Sequence, residues 1–405
     1  VNQQRIAPPK PSPFRRHWKL KPGIVFLNHG SFGACPRFIL DLQARLRDEM
    51  EGEPVQFLWR RYEERLEPAR VALARFVGAR PRDLVFVTNA TTAVNAVVRS
   101  AGLRRGDEVL TTSLDYNACR NALVQATGQA GAKLSVARIP FPIQHPEQVV
   151  TAVMSAVTPR TRLAMIDHVT SDSALVLPVA RLVRELAARG VDVLVDGAHA
   201  PGMVSVNLKA LGAAYYTGNL HKWVCAPKGA AFLSAREDKQ AALQPAVISH
   251  GNNRPRPGYT PFQDRFDWAG TSDVTAWFCI GEAIRWLGDL LPGGWADLRR
   301  RNHALALDAR RRLSDRFGVE PACPDSMIGS MATIPLPERF QGTPAAGRID
   351  PEQLELYDRF GIEAPFSRIG PKSLRCLRVS AHIYNTRAEY DYLGDAMEQL
   401  GDKRK

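Results

Sequence analysis

A chain of 405 residues that is 45% apolar can bury one large core and a smaller second one, so two domains are expected. No apolar run reaches the roughly 18 residues that a membrane-spanning helix requires, which argues against a membrane protein. The net charge of +13 is spread among Glu and Asp, with no basic block interleaved with aromatics. It therefore speaks for small anionic ligands rather than nucleic acid. The six cysteines (Cys35, Cys119, Cys225, Cys279, Cys323, Cys376) are far apart, with no Cys-x-x-Cys pair. That spacing argues against a metal site or a disulfide framework and for a reducing, cytoplasmic setting.

Residues 1–22 form a proline-rich basic arm without helical periodicity and without the apolar segment of a signal peptide. Ile24 to Gly33 is a short strand running into a Gly-flanked turn. Asn28 and His29 there are either satisfied turn residues or polar groups of a ligand site. A helix from Pro36 to about Glu51 carries Ile39, Leu42, Leu46 and Met50 on one face and closes an amino-terminal segment, 1–62.

The large domain spans 63–265. Leu66, Ala69, Leu73 and Phe76 mark a helix that Gly78 stops. The strand Leu84–Asn89 opens into a helix whose first turn, Ala90, Thr91 and Thr92, offers free N–H groups to an anion, or is simply a capped turn. Glu108–Ser113 is a strand that releases Tyr116, and Lys133–Ile139 is another. Leu163–Asp167 is a buried strand followed by His168-Val-Thr-Ser171. After a helix from Ala180 to Arg189, the apolar β-branched run Val191–Val195 ends on Asp196, with His199 on the loop beyond. Open α/β sheets place their ligands at such strand ends. A second apolar stretch, Ala213–Thr217, delivers Lys222. Gly229–Ser234 reads as a return strand. The repeated strand–helix order points to a mostly parallel sheet between helices.

Residues 250–267, rich in Pro, Gly and Arg, read as an extended connection. Beyond them a smaller α+β domain, 266–405, begins with helices over 274–317 and carries Arg375-Cys-Leu-Arg378-Val-Ser-Ala-His-Ile-Tyr-Asn385, a strand followed by a turn.

Asp196-Gly-Ala-His199 ahead of His221-Lys222-Trp223 resembles the pyridoxal 5′-phosphate (PLP) site of the class V aminotransferase family, in fold-type I. That resemblance implies a seven-stranded-type sheet, PLP as cofactor and an amino-acid substrate with a free α-carboxylate. It implies that Lys222 holds PLP as a Schiff base, that Asp196 pairs with the pyridine nitrogen, and that His199 and Ser171 approach the ring oxygen. Ala90, Thr91 and Thr92 would receive the phosphate. Tyr116 would stack on the ring, unless it is a core tyrosine, and Asn219 and His221 would donate to phosphate, unless they are ordinary loop polarity. Thr271 would cross to the phosphate of a neighbouring subunit, which implies a homodimer. Asn28 and His29 would reach the substrate pocket, and Arg378 would clamp the carboxylate with its rigid charged fork. Arg375 is the neighbour that could be mistaken for it.

The sequence leaves the reaction open, because PLP supports racemisation, transamination and elimination alike. Leu27-Asn-His-Gly-Ser-Phe-Gly33, His168-Val-Thr-Ser171 and Tyr216–Trp223 look most like the isopenicillin N epimerase branch. Aminotransfer and C–S lysis are the alternatives. A persulfide-forming desulfurase is disfavoured, because Ala364-Pro-Phe-Ser-Arg-Ile-Gly370 contains no cysteine. A non-catalytic binding module is a further alternative, but it has no use for Lys222, Asp196 and Arg378 together. In an epimerase Lys222 would take a proton from one face of Cα, and the sequence does not identify the donor on the other.

Overall fold

The computed structural model describes residues 7–342 and 349–402. Its strands, in chain order, are β1 (Val25–Phe26), β2 (Leu84–Val87), β3 (Glu108–Thr112), β4 (Lys133–Ala137), β5 (Thr161–Asp167), β6 (Asp192–Asp196), β7 (Tyr215–Asn219), β8 (Ala231–Ala235), β9 (Met331–Pro335), β10 (Ile362–Glu363), β11 (Phe366–Ile369) and β12 (Leu374–Ser380). Seven of them form the central sheet in the order β2-β8-β7-β6-β5-β3-β4. Every residue of β2, β3, β7 and β8 is buried, as in strands covered on both faces.

Only β8, the expected return strand, runs against its neighbours; the pairs from β7 across to β4 are parallel. Because β2 opposes β8 and β8 opposes β7, β2 points the same way as the parallel strands. The carboxyl ends of β2, β3, β5, β6 and β7 therefore open on one edge, where such sheets bind ligands. A three-stranded antiparallel sheet, β11-β12-β9, carries the carboxyl-terminal part. The long helix Gly294–Phe317 packs on it and on the helix Arg387–Asp402.

Three expectations need correction. Of the arm at 1–22, residues 1–6 lie outside the described residues; the rest is not featureless, since Pro13–His17 makes a 3₁₀ turn and Trp18 is buried edge-on against Tyr384 and His382. The stretch after β1 is not an open turn but a one-turn helix, His29–Phe32. Within 250–267, Pro261–Asp267 is helical. The Thr260 hydroxyl accepts the Gln263 N–H, and the Gln263 side chain accepts the Thr260 N–H, a reciprocal cap with proline at the first helical position.

That short helix is tied to the domain by charge. The buried Arg70 guanidinium donates to the Leu84 carbonyl at 2.7 Å and to Asp267 at 2.8 Å, and Arg256 holds the same carboxylate oxygen at 2.7 Å. Removing one partner of a buried pair leaves the other charge stranded. Arg70→Met is expected to cost about 3 kcal/mol, read as a lower urea midpoint, with the double variant Arg70→Met/Asp267→Asn recovering part of the loss. An unchanged midpoint would show that Arg256 alone suffices.

Candidate active site

Asp196 ends β6 and Asp167 ends β5, and the two are register partners on adjacent strands. Both line a cavity of about 490 Å³, within the usual size of small-ligand sites. The segment after β7 brings His221 and Lys222 to the same wall, the turn after β3 brings Tyr116, and the turn after β2 brings Thr88, Asn89, Ala90 and Thr91. Val169 and Ser171 follow β5, His199 follows β6, and Ser31 and Phe32 close the rim.

The Asp196 carboxylate is fixed at both oxygens. Oδ1 accepts the Ala198 N–H at 2.9 Å and Oδ2 the Cys119 thiol at 3.2 Å. Asp167 is buried with Oδ2 unpartnered. Burial first, then the charges of Asp196 and Asp115, push its carboxyl well above the usual range.

Lys222 Nζ lies 3.0 Å from His199 Nε2, and His199 Nδ1 is buried without a partner. Burial and the Arg378 charge bring the lysine down from 10.5 to about 7, against the opposing pull of Asp196. The neutral amine, which is the nucleophile, therefore predominates above about pH 7. In the apoprotein, the rate at which Lys222 captures an aldehyde is expected to rise with pH around a midpoint near 7, followed by stopped-flow absorbance. A midpoint near 10 would mean a solvated amine.

Arg378, on β12, is buried and has no carboxylate partner among the described residues. Nη1 donates to the Ser171 carbonyl at 2.8 Å, Nη2 donates to Ser31 Oγ at 2.8 Å and Asn28 Oδ1 at 3.1 Å, and Nε is unpartnered. A buried guanidinium held only by neutral oxygens is an anion site in waiting. Arg375, an odd number of residues away and so on the opposite face of the strand, is already neutralised by Asp350 and Glu352 at 2.5 Å each. The two arginines are thus told apart by their partners.

Of the expected residues, Ala90, Thr91, Tyr116, Ser171, Asp196, His199, Asn219, His221 and Lys222 share the cavity wall. Others need revision. The Ala90 N–H is taken by Asn219 Oδ1 and the Thr92 N–H by Asn89 Oδ1, both at 2.9 Å, so of the three first-turn N–H groups only that of Thr91 has no partner among the described residues. His221 faces the Ala230 carbonyl through Nδ1 at 3.2 Å and is pushed down to about 4 by burial. Its proton is on Nδ1, and Nε2 of the neutral ring accepts rather than donates. Thr271, expected to serve a neighbouring subunit rather than its own, needs no such revision: it is exposed and outside the cavity lining of its own chain.

His29 does not reach the cavity. Its Nε2 is 3.0 Å from the Lys222 carbonyl and its Nδ1 2.6 Å from the Tyr384 hydroxyl, and its ring stacks on His382. A carbonyl only accepts, so Nε2 carries the proton and the ring props the Lys222 backbone from behind. The Cys225 thiol and His382 lie beside it close enough to form a three-ligand cluster, but there His29 presents its proton rather than a lone pair. Asn28 orients Arg378 rather than lining the wall. Gly33, with φ +68°, lets this segment close on the lysine: a Cβ there would stand 2.1 Å from the His221 carbonyl oxygen and 2.8 Å from Lys222 Cα.

Sequence reasoning passed over Asp167, Cys119, Asn89, Ser31 and Lys228. Asp167 had a legible signal, an apolar run ending on a carboxylate as at Asp196. Asn89 is a local helix cap, and Cys119, Ser31 and Lys228 depend on packing.

The aminotransferase class-V model matches residues 54–393. The chain belongs to that family. It is 37% identical over 400 residues to an isopenicillin N epimerase of Amycolatopsis lactamdurans, covering 95% of this chain and 97% of that one. It is also 27% identical over 411 residues to an L-cysteine desulfhydrase of Arabidopsis thaliana, covering 93% and 88%. Among solved structures, the cysteine desulfurase CsdA of Escherichia coli superposes with a TM-score of 0.76 at 20% identity, covering 96% of this chain and 98% of that one. The fold is that of fold-type I PLP-dependent enzymes.

The class-V enzyme's cofactor is PLP, and the residues present suit it. A neutral lysine stands ready for an aldehyde. A fixed carboxylate suits a protonated ring nitrogen, and the unpartnered His199 Nδ1 and Thr91 N–H await oxygen acceptors. No described helix is long and apolar enough to cross a membrane.

Proposed function

We propose that the protein is a PLP-dependent epimerase that inverts the Cα of an amino-acid substrate with a free α-carboxylate, with isopenicillin N or a compound of that type as substrate. The observation that carries this reading is 37% identity over almost the whole chain to an isopenicillin N epimerase, joined to a cavity with Lys222 on its wall and the guanidinium of Arg378, without a carboxylate partner, behind Ser31 and Ser171. When bound, PLP withdraws electrons from Cα and makes its proton removable. The chain's own residues do the rest. Arg378 binds the carboxylate, Ser31, Asn28 and Ser171 hold Arg378 in place, and Lys222 accepts a proton beside His199. Asp196, its orientation fixed by Cys119 and the Ala198 N–H, would pair with the ring nitrogen.

A C–S lyase is the second reading, favoured by the desulfhydrase relative. Persulfide chemistry finds no support: all six cysteines are buried, Cys376 inside β12. We also read the protein as a cytoplasmic homodimer in which exposed Thr271 reaches the neighbouring subunit's phosphate; size-exclusion light scattering tests the assembly.

The reaction is tested by giving the holoenzyme isopenicillin N and a panel of L-amino acids in deuterated buffer, then measuring chirality, keto acid and sulfide. Inverted product carrying deuterium at Cα is expected. Sulfide and keto acid without inversion would replace the epimerase reading by the lyase.

A further inference from the structure

Inversion needs a proton removed on one face of Cα and another delivered on the opposite face, and Lys222 accounts for only one of the two. The need for a second residue rests on the epimerase reading, and strand order restricts which residue can fill it. Lys222 follows β7, Asp196 and Asp167 end β6 and β5, and Tyr116 follows β3, so amine and phenol stand on opposite sides of a floor two strands wide.

The other proton-bearing groups on the wall are less suited. The hydroxyls of Ser31 and Ser171 are engaged with Arg378, His199 touches the lysine itself, His221 and Lys228 follow β7 and Thr88 and Thr91 follow β2, all on the lysine's side, and Asp167 belongs to the floor. Tyr116 enters from the β3 side with 46% of its surface exposed, open to proton exchange with water. The Arg378 guanidinium is within electrostatic reach of the Tyr116 phenol, each acting on the other's ionisation. Arg378 would anchor the α-carboxylate, which would set the carbon bonded to it inside the cavity that Lys222 and Tyr116 both line. Burial keeps the phenol protonated at neutral pH, with Arg378 pulling the other way.

We propose that Tyr116 is the acid–base residue of the second face. Lys222 Nζ takes the Cα proton on its side, and the Tyr116 hydroxyl delivers its own proton to the opposite side of the same carbon. One C–H bond breaks and one forms, and no electrons leave the substrate. The resulting ammonium and phenolate are reset by proton exchange with water in the cavity. In the reverse direction the ammonium and phenolate forms react before that reset: the phenolate takes the Cα proton and the ammonium returns one to the lysine's side.

The test uses holoenzyme and glycine, whose two Cα hydrogens report the two faces separately, in deuterated buffer followed by NMR. Wild type is expected to exchange both hydrogens. Tyr116→Phe keeps the ring and is expected to exchange one at the wild-type rate and the other about 100-fold more slowly, with the cofactor's absorption band and affinity unchanged. On a substrate that wild type inverts, the variant is expected to incorporate deuterium with retention. If the variant exchanges both hydrogens, or inverts substrate, at wild-type rates, Tyr116 is not the second acid although the epimerase reading stands. If it loses both exchanges together with the cofactor band, the residue holds the cofactor and the proposal fails. If wild type exchanges a single glycine hydrogen and inverts nothing, the epimerase reading falls and takes the proposal with it.

Discussion

Lys222→Ala holoprotein is expected to lose the visible band that borohydride shifts and fixes, and its turnover is expected to fall by about a million-fold, as when a covalent catalyst is deleted. The reason lies in the burial of this amine. A solvated lysine near pH 7 is almost wholly protonated and could be replaced by any neighbouring amine, whereas Lys222, brought down to about 7, presents a neutral nucleophile inside the cavity. Lys228 is the control, since it lines the same cavity but donates to the Gly33 carbonyl at 3.2 Å. Reduction followed by peptide mapping should place the cofactor on Lys222 in wild type and nowhere in the variant. A reduced adduct on Lys228 in either protein would overturn the assignment of the site.

The prop behind this lysine also marks where the sequence was readable and where it was not. Local signals carried far: apolar β-branched runs became buried parallel strands, and the run ending on Asp196 stood where a ligand-binding carboxylate should. The reciprocal cap Thr260-Pro-Phe-Gln263 was equally local; the Pro, Gly and Arg around it hid a helix that its own start signal announced. His29 was different. Its position is set by β1 pairing with β10 and by Tyr384 and His382 from the far end of the chain, contacts with no trace in the neighbouring residues. The same holds for Ala90, but not for Thr92. A first helical turn with free N–H groups is a sound local inference, but Asn219 from another strand end claims one of them and Asn89 another. Residue type and spacing thus located the edge of the sheet and the cap by Asn89, while the partner of the Ala90 N–H depended on a side chain distant in sequence.

Replacing Arg378 is expected to separate carboxylate recognition from wall support. Arg378→Ala removes a charged fork from a buried site, and kcat/KM for an α-amino acid is expected to fall about 1,000-fold, about 4 kcal/mol, mostly as a rise in KM. Arg378→Lys keeps the charge but cannot hold Ser171 on one nitrogen and Ser31 with Asn28 on the other, so it is expected to recover only part of the loss. The guanidinium also braces the amino-terminal segment, and a general loosening could raise KM too. An amine that lacks the carboxylate distinguishes the two effects. If Arg378 clamps the carboxylate, the variants lose activity on the acid and retain their weak reaction with the plain amine; if it only braces the wall, both fall in parallel. Arg375→Met supplies the converse. Its guanidinium is spent on Asp350, Glu352 and the Phe340 carbonyl, so its loss is expected to lower stability and leave KM for the acid unchanged.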